Sequence, residues 1–274
     1  MIDDPNEEGA RPNLPADSYR LAFEDAEFLW RDEMRAMRLA SEFAKADLVM
    51  RDWAIRSTVV FFGSARAQPG HPDCAPLPPT ARCGADLPPR YYEEARDFAG
   101  RIARYGQALF EASGGQHRDY VVCTGGGPGL MEAANRGAAE TGAPTIGLNI
   151  DLPHEQAPNR FLTRDLSFRF QYFALRKMHF LLRARALAIF PGGYGTLDEL
   201  FDALTLMQTG KMPVIPILMF GRDYWRKVID FDAMVEVGTI DSEDRALIHW
   251  VDGPEEGWRL LARHDGLDAH GRVD

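Results

Sequence analysis

Four groups of residues carry the chemistry this sequence can do. Pro191-Gly-Gly-Tyr-Gly-Thr-Leu-Asp-Glu199 follows an apolar run, turns on three glycines and continues as a helix. A buried strand that feeds a helix through such a turn gathers free backbone N–H groups at the positive end of a helix dipole, which suits a phosphate. Gly192, Gly193, Gly195 and Thr196 are the candidates for that grip, with Glu199 just beyond them. The second group is Gly125-Gly-Gly-Pro-Gly129, followed by Met131 and Glu132; the third is Arg176-Lys177; the fourth is Gly63-Ser64. An acid beside an anion cradle repels the anion unless the two do separate work, so Glu199 is the residue to explain.

Two readings of Glu199 compete. Thr196-Leu-Asp-Glu199 fits a capping box, in which Thr caps the helix and Glu reaches back to the cap. Yet a helix that needs only a cap does not need glycines at three of the four positions before it. With a phosphate on those N–H groups, Thr196 binds it and Glu199 is free to face a sugar. Arg176 sits among Phe173, Leu175 and Met178, an apolar setting suited to a guanidinium held for bidentate anion recognition. Its bland alternative is a solvated basic face shared with Lys177, Arg183 and Arg185. Glu132 reads equally as a favourable helix-start acid or as a ligand contact. His179 reads as a packed helix residue rather than a general base.

The glycine loop at 125–129 is not a dinucleotide fingerprint: the third glycine position falls on Leu130, and no acid stands about 20 residues on. No Gly-Lys-Ser/Thr triplet follows, so it is not a Walker loop either. His71, Cys74 and Cys83 lie in a segment at 67–89 that holds seven prolines. They lack a fourth ligand and a zinc spacing, so the segment reads as a loop or insertion and no metal site is expected.

The elements that must position these residues alternate. Thr58–Phe62, Tyr120–Cys123, Pro144–Leu148, Ala186–Phe190 and Pro213–Phe220 read as buried strands, with a short edge strand over Phe161–Phe168. Helices are predicted over Ser18–Trp53, capped by Asp17 or Ser18, over Tyr91–Ala112, over Ala133–Ala139 following the glycine loop, and over Arg169–Arg185. Two or three more follow Phe220. This alternation predicts an α/β fold, a parallel sheet with helices on both faces. The loops after Phe62, Cys123 and Phe190 then meet at the C-terminal edge of the sheet. The expected organisation is a flexible tail over 1–17, a helical extension over 18–56, the α/β domain over 57–263 and a C-terminal tail over 264–274.

The totals narrow the partners. The sequence has 274 residues, 45% hydrophobic and 26% charged, with a net charge of -10. That acidity argues against a nucleic-acid polymer or an anionic membrane as partner. No apolar run approaches the ~18 residues of a membrane span. The three cysteines point to a reducing compartment. With no signal-peptide pattern, the expected location is the cytoplasm.

Pro191 to Glu199 resembles the PGGxGTxxE signature of the LOG (Lonely Guy) family, and Arg176-Lys177, Gly125 to Met131 and Phe62-Gly-Ser64 match its other motifs in order. The resemblance runs from about Val59 to Leu261. It implies a Rossmann-like doubly wound parallel sheet, usually in a homodimer, and hydrolysis of the N-glycosidic bond of a nucleoside 5′-monophosphate without a cofactor. It further implies that Arg176 and Glu199 are catalytic and that Gly192, Gly193, Gly195 and Thr196 bind phosphate. Ser64, Gly125, Gly126, Gly127, Met131, Glu132 and Lys177 would contact the nucleotide. The insertion, the N-terminal helix and Glu132 are features of longer bacterial relatives rather than short plant-type members. They favour AMP over a cytokinin nucleotide. The competing functions are a non-catalytic nucleotide-binding or carrier protein and, against the broken fingerprint, a dinucleotide oxidoreductase.

Overall fold

A computed structural model describes residues 19–69, 87–152 and 157–266. The expected tail at 1–17, the caps at Asp17 and Ser18, and the trio His71, Cys74 and Cys83 lie outside the described residues. The chain divides into two compact units, one ending at Ala44 and the other beginning at Lys45.

In the first unit the expected continuous helix is broken. Helix α1 spans Ala26–Trp30, a single 3-10 turn spans Asp32–Met34, and α2 (Arg35–Asp52) runs on into the second unit. Asp25 caps α1 by accepting from the Phe28 N–H at 3.0 Å. Arg38 donates to the Leu29 and Arg31 carbonyls at 2.5 and 2.7 Å, satisfying acceptors left open where the helix stops.

The second unit is built on a seven-stranded sheet. In chain order its elements are β1 (Thr58–Phe62), α3 (Arg90–Ala112), β2 (Val121–Thr124), α4 (Leu130–Ala139), β3 (Thr145–Ile150) and β4 (Ser167–Phe170). Then come α5 (Phe173–Leu182), β5 (Ala184–Ile189), α6 (Tyr194–Gln208), β6 (Ile217–Phe220), α7 (Arg222–Val228), α8 (Phe231–Glu236), α9 (Ser242–Ala246), β7 (Ile248–Val251) and α10 (Pro254–His264). The order across the sheet is β4-β3-β2-β1-β5-β6-β7, and every pair is parallel. The expected doubly wound α/β fold is therefore present. The chain leaves β1 toward β2, then returns to the other side of β1 with β5. The β1/β5 boundary is the switch point, where a crevice opens at the carboxyl ends of the strands.

Both faces of the sheet are covered, as its uninterrupted apolar strands require. Phe61 packs on Phe98 of α3 with ring centroids 5.6 Å apart; its neighbour Phe62 points the other way and meets Phe180 of α5 edge-on at 4.9 Å. Phe190 stacks on Phe220 at 4.2 Å, extending the first of these clusters under the crevice. The small residues of α4 serve its packing. A Cβ at Gly137 would strike the Arg96 carbonyl, and one at Gly100 would lie 3.3 Å from the Gly137 carbonyl. Helices α3 and α4 thus cross backbone to backbone, which seats the start of α4 and the glycine loop before it.

Three expectations are corrected. The segment Arg169–Arg185 is not one helix: Arg169 lies in edge strand β4, α5 ends at Leu182, and β5 already begins at Ala184. The sequence Ile248-His-Trp-Val251 adds a seventh strand beyond β6, so Pro213–Phe220 is not the last strand. Among the described residues, four helices rather than two or three follow Phe220.

Candidate active site

A cleft of about 650 Å³ opens at the ends of β1, β2 and β5. It is lined by the β1 loop from Phe62 to Arg66, by Gly125 and Met131, by Arg176, and by the turn from Gly192 to Glu199. Tyr224 and Val228 of α7 close one side. The structure therefore gathers Ser64, Gly125, Met131, Arg176, Gly192, Gly193, Gly195, Thr196 and Glu199 around one space. Gly126, Gly127, Glu132 and Lys177 do not line it.

The turn after β5 starts its helix earlier than a capping box would. Gly193 is the N-cap and Tyr194 the first helical residue, and no side chain caps the helix. The N–H groups of Thr196 and Leu197 both donate to the Gly193 carbonyl at 3.0 Å, so helical bonding begins there. Thr196 is the third residue of α6, within its first turn, and Glu199 falls in the second turn. Neither is positioned for the capping exchange. The earlier N–H groups, at Tyr194 and Gly195, belong to the set a helix N-terminus leaves without intrahelical partners. Tyr194 projects outward, 92% exposed. Gly192 has no space for a Cβ, which would overlap the Thr196 side chain. The absence of a side chain at 192 is what lets Thr196 close against the turn.

The β1 and β2 loops are locked to this turn. The Ser64 N–H donates to the Pro191 carbonyl, and the Leu130 N–H donates to the Ser64 carbonyl, both at 3.0 Å. Ser64 Oγ accepts from the Arg66 N–H at 3.1 Å, which leaves its hydroxyl proton to donate elsewhere. Gly129 has φ +71°, and a Cβ there would strike the Ser64 and Ala65 backbone. Only glycine permits both that angle and that approach.

Beneath the glycine loop lies a buried polar layer that the sequence reading missed. Asn159 Nδ2 donates to the Gly126 and Gly127 carbonyls at 3.2 and 3.0 Å and to Asn135 Oδ1 at 2.8 Å. The Thr124 hydroxyl donates to Asn135 Oδ1 at 2.7 Å and accepts from the Gly126 N–H at 2.9 Å. Gly126 and Gly127 are thus held by this layer rather than presented to the cleft. Asn135 in a small-residue helix and Asn159 in a polar loop leave no periodic signal. Glu132 accepts from the Tyr92 hydroxyl at 3.2 Å, tying α4 to α3. His179 is buried with its ring 5.5 Å from that of Phe170, in a packed helix as expected.

Arg176 and Glu199 form the polar floor. Arg176 Nε donates to the Leu148 carbonyl at 2.7 Å, and its guanidinium lies 5.0 Å from the centre of the Phe180 ring. A Cβ on Gly125 would come within 2.6 Å of Arg176 Nη2, so the missing side chain at 125 makes room for the guanidinium. Glu199 is only 3% exposed, and its Oε2 has no hydrogen-bond partner among the described residues. Burial pushes its carboxyl up to about 7, against the opposing pull of Arg176 and Lys177. A buried carboxylate with an open oxygen can stabilise a nearby cation, hold a hydroxyl or take a proton from water.

Residues 131–261 match the family model described as possible lysine decarboxylase. The pyrimidine/purine nucleotide 5′-monophosphate nucleosidase of Escherichia coli (strain K12) is 32% identical over 133 residues, which cover 42% of this chain and 28% of the relative. The same protein from two further E. coli strains gives the same figures. The chain thus spans less than a third of the length of the curated relatives it matches. Among solved structures, a structural-genomics target determined by X-ray crystallography is 19% identical with a TM-score of 0.50, covering 76% of this chain and 99% of its own. A molybdenum cofactor binding protein from Rippkaea orientalis is also 19% identical, with a TM-score of 0.47 over 77% of this chain and 96% of its own. The first of these likenesses concerns the fold alone. The PGGxGTxxE turn and the Arg176–Glu199 floor thus share one cleft, and the segment that carries them is similar in sequence to nucleotide 5′-monophosphate nucleosidases.

Proposed function

We propose that this chain hydrolyses the N-glycosidic bond of a purine nucleoside 5′-monophosphate, with AMP as the first substrate to test, releasing the base and ribose 5-phosphate. The observation that carries the reading is the buried Glu199 carboxylate. Its unpartnered Oε2 lies one helical turn inside a glycine-cradled helix start. One end of that helix suits a phosphate, and the acid beyond it suits the sugar.

In this reading Gly192, Gly193, Gly195 and Thr196 hold the phosphate, and Ser64 adds its hydroxyl. Arg176 orients the ribose or phosphate and favours the ionised form of Glu199. The bond between C1′ and the base nitrogen breaks, a water oxygen bonds to C1′, and a proton from that water ends on the base. Positive charge builds on the sugar before water adds, as in glycoside cleavage generally. Ionised Glu199 stabilises that charge. The phosphate is remote from the broken bond, but binding it fixes the sugar against the carboxylate, an effect worth up to about 7–11 kcal/mol.

The family model that matches residues 131–261 is described as possible lysine decarboxylase. A pyridoxal-dependent decarboxylation holds its cofactor on a lysine. The residues lining the cleft include none, and Lys177 is engaged with Asp198 at 2.6 Å outside it. The residues do not fit that chemistry.

The test is to incubate the purified protein with AMP, GMP, IMP, CMP and isopentenyl-AMP and to follow free base by chromatography. Adenine release that disappears in Glu199→Gln supports the proposal. AMP binding without turnover of any monophosphate would replace it with a non-catalytic nucleotide carrier.

A further inference from the structure

Helix α7 starts against the phosphate turn. Gly221 takes φ +84°, and a Cβ on it would lie 2.9 Å from Pro191 Cγ. Trp225 then anchors α7 by donating Nε1–H to the Phe220 carbonyl at 2.9 Å, and its ring meets that of Tyr224 edge-on at 4.9 Å. From this fixed position the Tyr224 hydroxyl donates to the Gly192 carbonyl at 2.7 Å. Burial raises the phenol's pKa, so the hydroxyl keeps its proton through the neutral range.

The Gly192 carbonyl belongs to the peptide whose N–H is that of Gly193. This peptide has glycine on both sides and is therefore unusually free to flip. A flip would replace an N–H facing the bound anion with a carbonyl oxygen. It would also carry Gly193 from its present φ of -98° into the positive-φ region, which glycine tolerates and other residues resist.

We propose that Tyr224 is a positioning residue of the phosphate turn: its hydroxyl holds the Gly192–Gly193 peptide so that the Gly193 N–H faces the phosphate. The inference rests on the assignment of Gly192 to Thr196 as the phosphate grip. Tyr224 acts through the backbone and touches no reacting atom.

The experiment is a double-mutant cycle of Tyr224→Phe and Gly193→Ala. Calorimetry reads the binding of inorganic phosphate, AMP and adenosine, and adenine release is measured in parallel. Tyr224→Phe should weaken phosphate and AMP binding on the order of tenfold, because a donor to an anion is lost, and leave adenosine binding unchanged. An alanine at 193 disfavours the flipped peptide and has open space for its Cβ, with nothing within 4 Å. The Tyr224→Phe penalty should therefore shrink to under about threefold in that background. Three outcomes overturn the inference: equal weakening for adenosine and AMP, including through a lowered Tm; the same penalty in both backgrounds; or no phosphate binding by the wild type. If the cycle behaves as expected but no variant or wild type releases base, the positioning role stands and the hydrolytic reading fails.

Discussion

Lys177 Nζ lies 2.6 Å from Asp198 Oδ1, and this ion pair joins α5 to α6 one residue away from both members of the polar floor. Arg176 precedes Lys177, and Glu199 follows Asp198. The outer pair therefore sets the spacing of the inner one while staying in contact with solvent.

Removing the pair should cost little stability and more function. Lys177→Ala and Asp198→Ala should each lower stability by under about 1 kcal/mol, as for exposed pairs. The expected fall in kcat/KM for AMP is several-fold, because orientation is lost at the floor. The double variant should resemble either single one, since both break the same contact. Denaturant unfolding and steady-state kinetics on the three variants check this.

Stability and activity should depend on pH in opposite senses through Glu199. Its carboxyl stands at about 7 in the folded chain against 4.5 as an unperturbed group, so the folded state binds the proton more tightly. Its contribution is then fully present below about pH 4.5 and is lost as pH rises through 7, by roughly 3 kcal/mol in all. Urea titrations should show wild type falling relative to Glu199→Gln over that window. Activity needs the ionised form and should rise through about pH 7, beyond the phosphate's own second ionisation near pH ~6. Glu199→Gln should lack that rise and turn over about 10²–10⁴-fold more slowly. Lys177→Ala should move the midpoint up and Asp198→Ala down, following the sign of each removed charge.

Asn159→Ala tests the layer under the glycine loop. It strips the Gly126 and Gly127 carbonyls of a shared donor and leaves Asn135 Oδ1 with one fewer partner. Buried groups left unpaired cost about 1–3 kcal/mol. A loss of ~2 kcal/mol corresponds to roughly 4–8 °C in Tm for a chain of this size class. The KM for AMP should rise because Gly125 and Arg176 pack against each other. An unchanged Tm would remove Asn159 from the support of the loop.

Much of this arrangement is legible in the sequence, for identifiable reasons. The limits of strand β1 are legible, because Thr58–Phe62 is a β-branched and aromatic run closed by glycine. The meeting of the loops after β1, β2 and β5 follows from parallel connectivity alone. The boundaries around α5 are not legible: Ser167-Phe-Arg-Phe170 alternates as an edge strand for only four residues, and Arg183 and Arg185 continue the look of a charged helix face across a strand start. Strand β7 escaped because Ile248-His-Trp-Val251 is short and polar at its centre. The capping-box alternative failed because glycine at 193 starts the helix where a side-chain cap would usually be sought. Tyr224 and Asn159 are distant in sequence from the motifs they support, and their partners are backbone carbonyls. No local pattern points to them.

The Ser64 backbone donates to Pro191 on one side and accepts from Leu130 on the other. It thereby staples the β1 loop to both of its neighbours at once. Breaking either staple exposes the other, so the three loops should breathe as one cooperative unit rather than as independent flaps. In hydrogen exchange the amides of Ser64 and Leu130 would then share a single protection factor. A ligand that touches any one loop would slow exchange at all three.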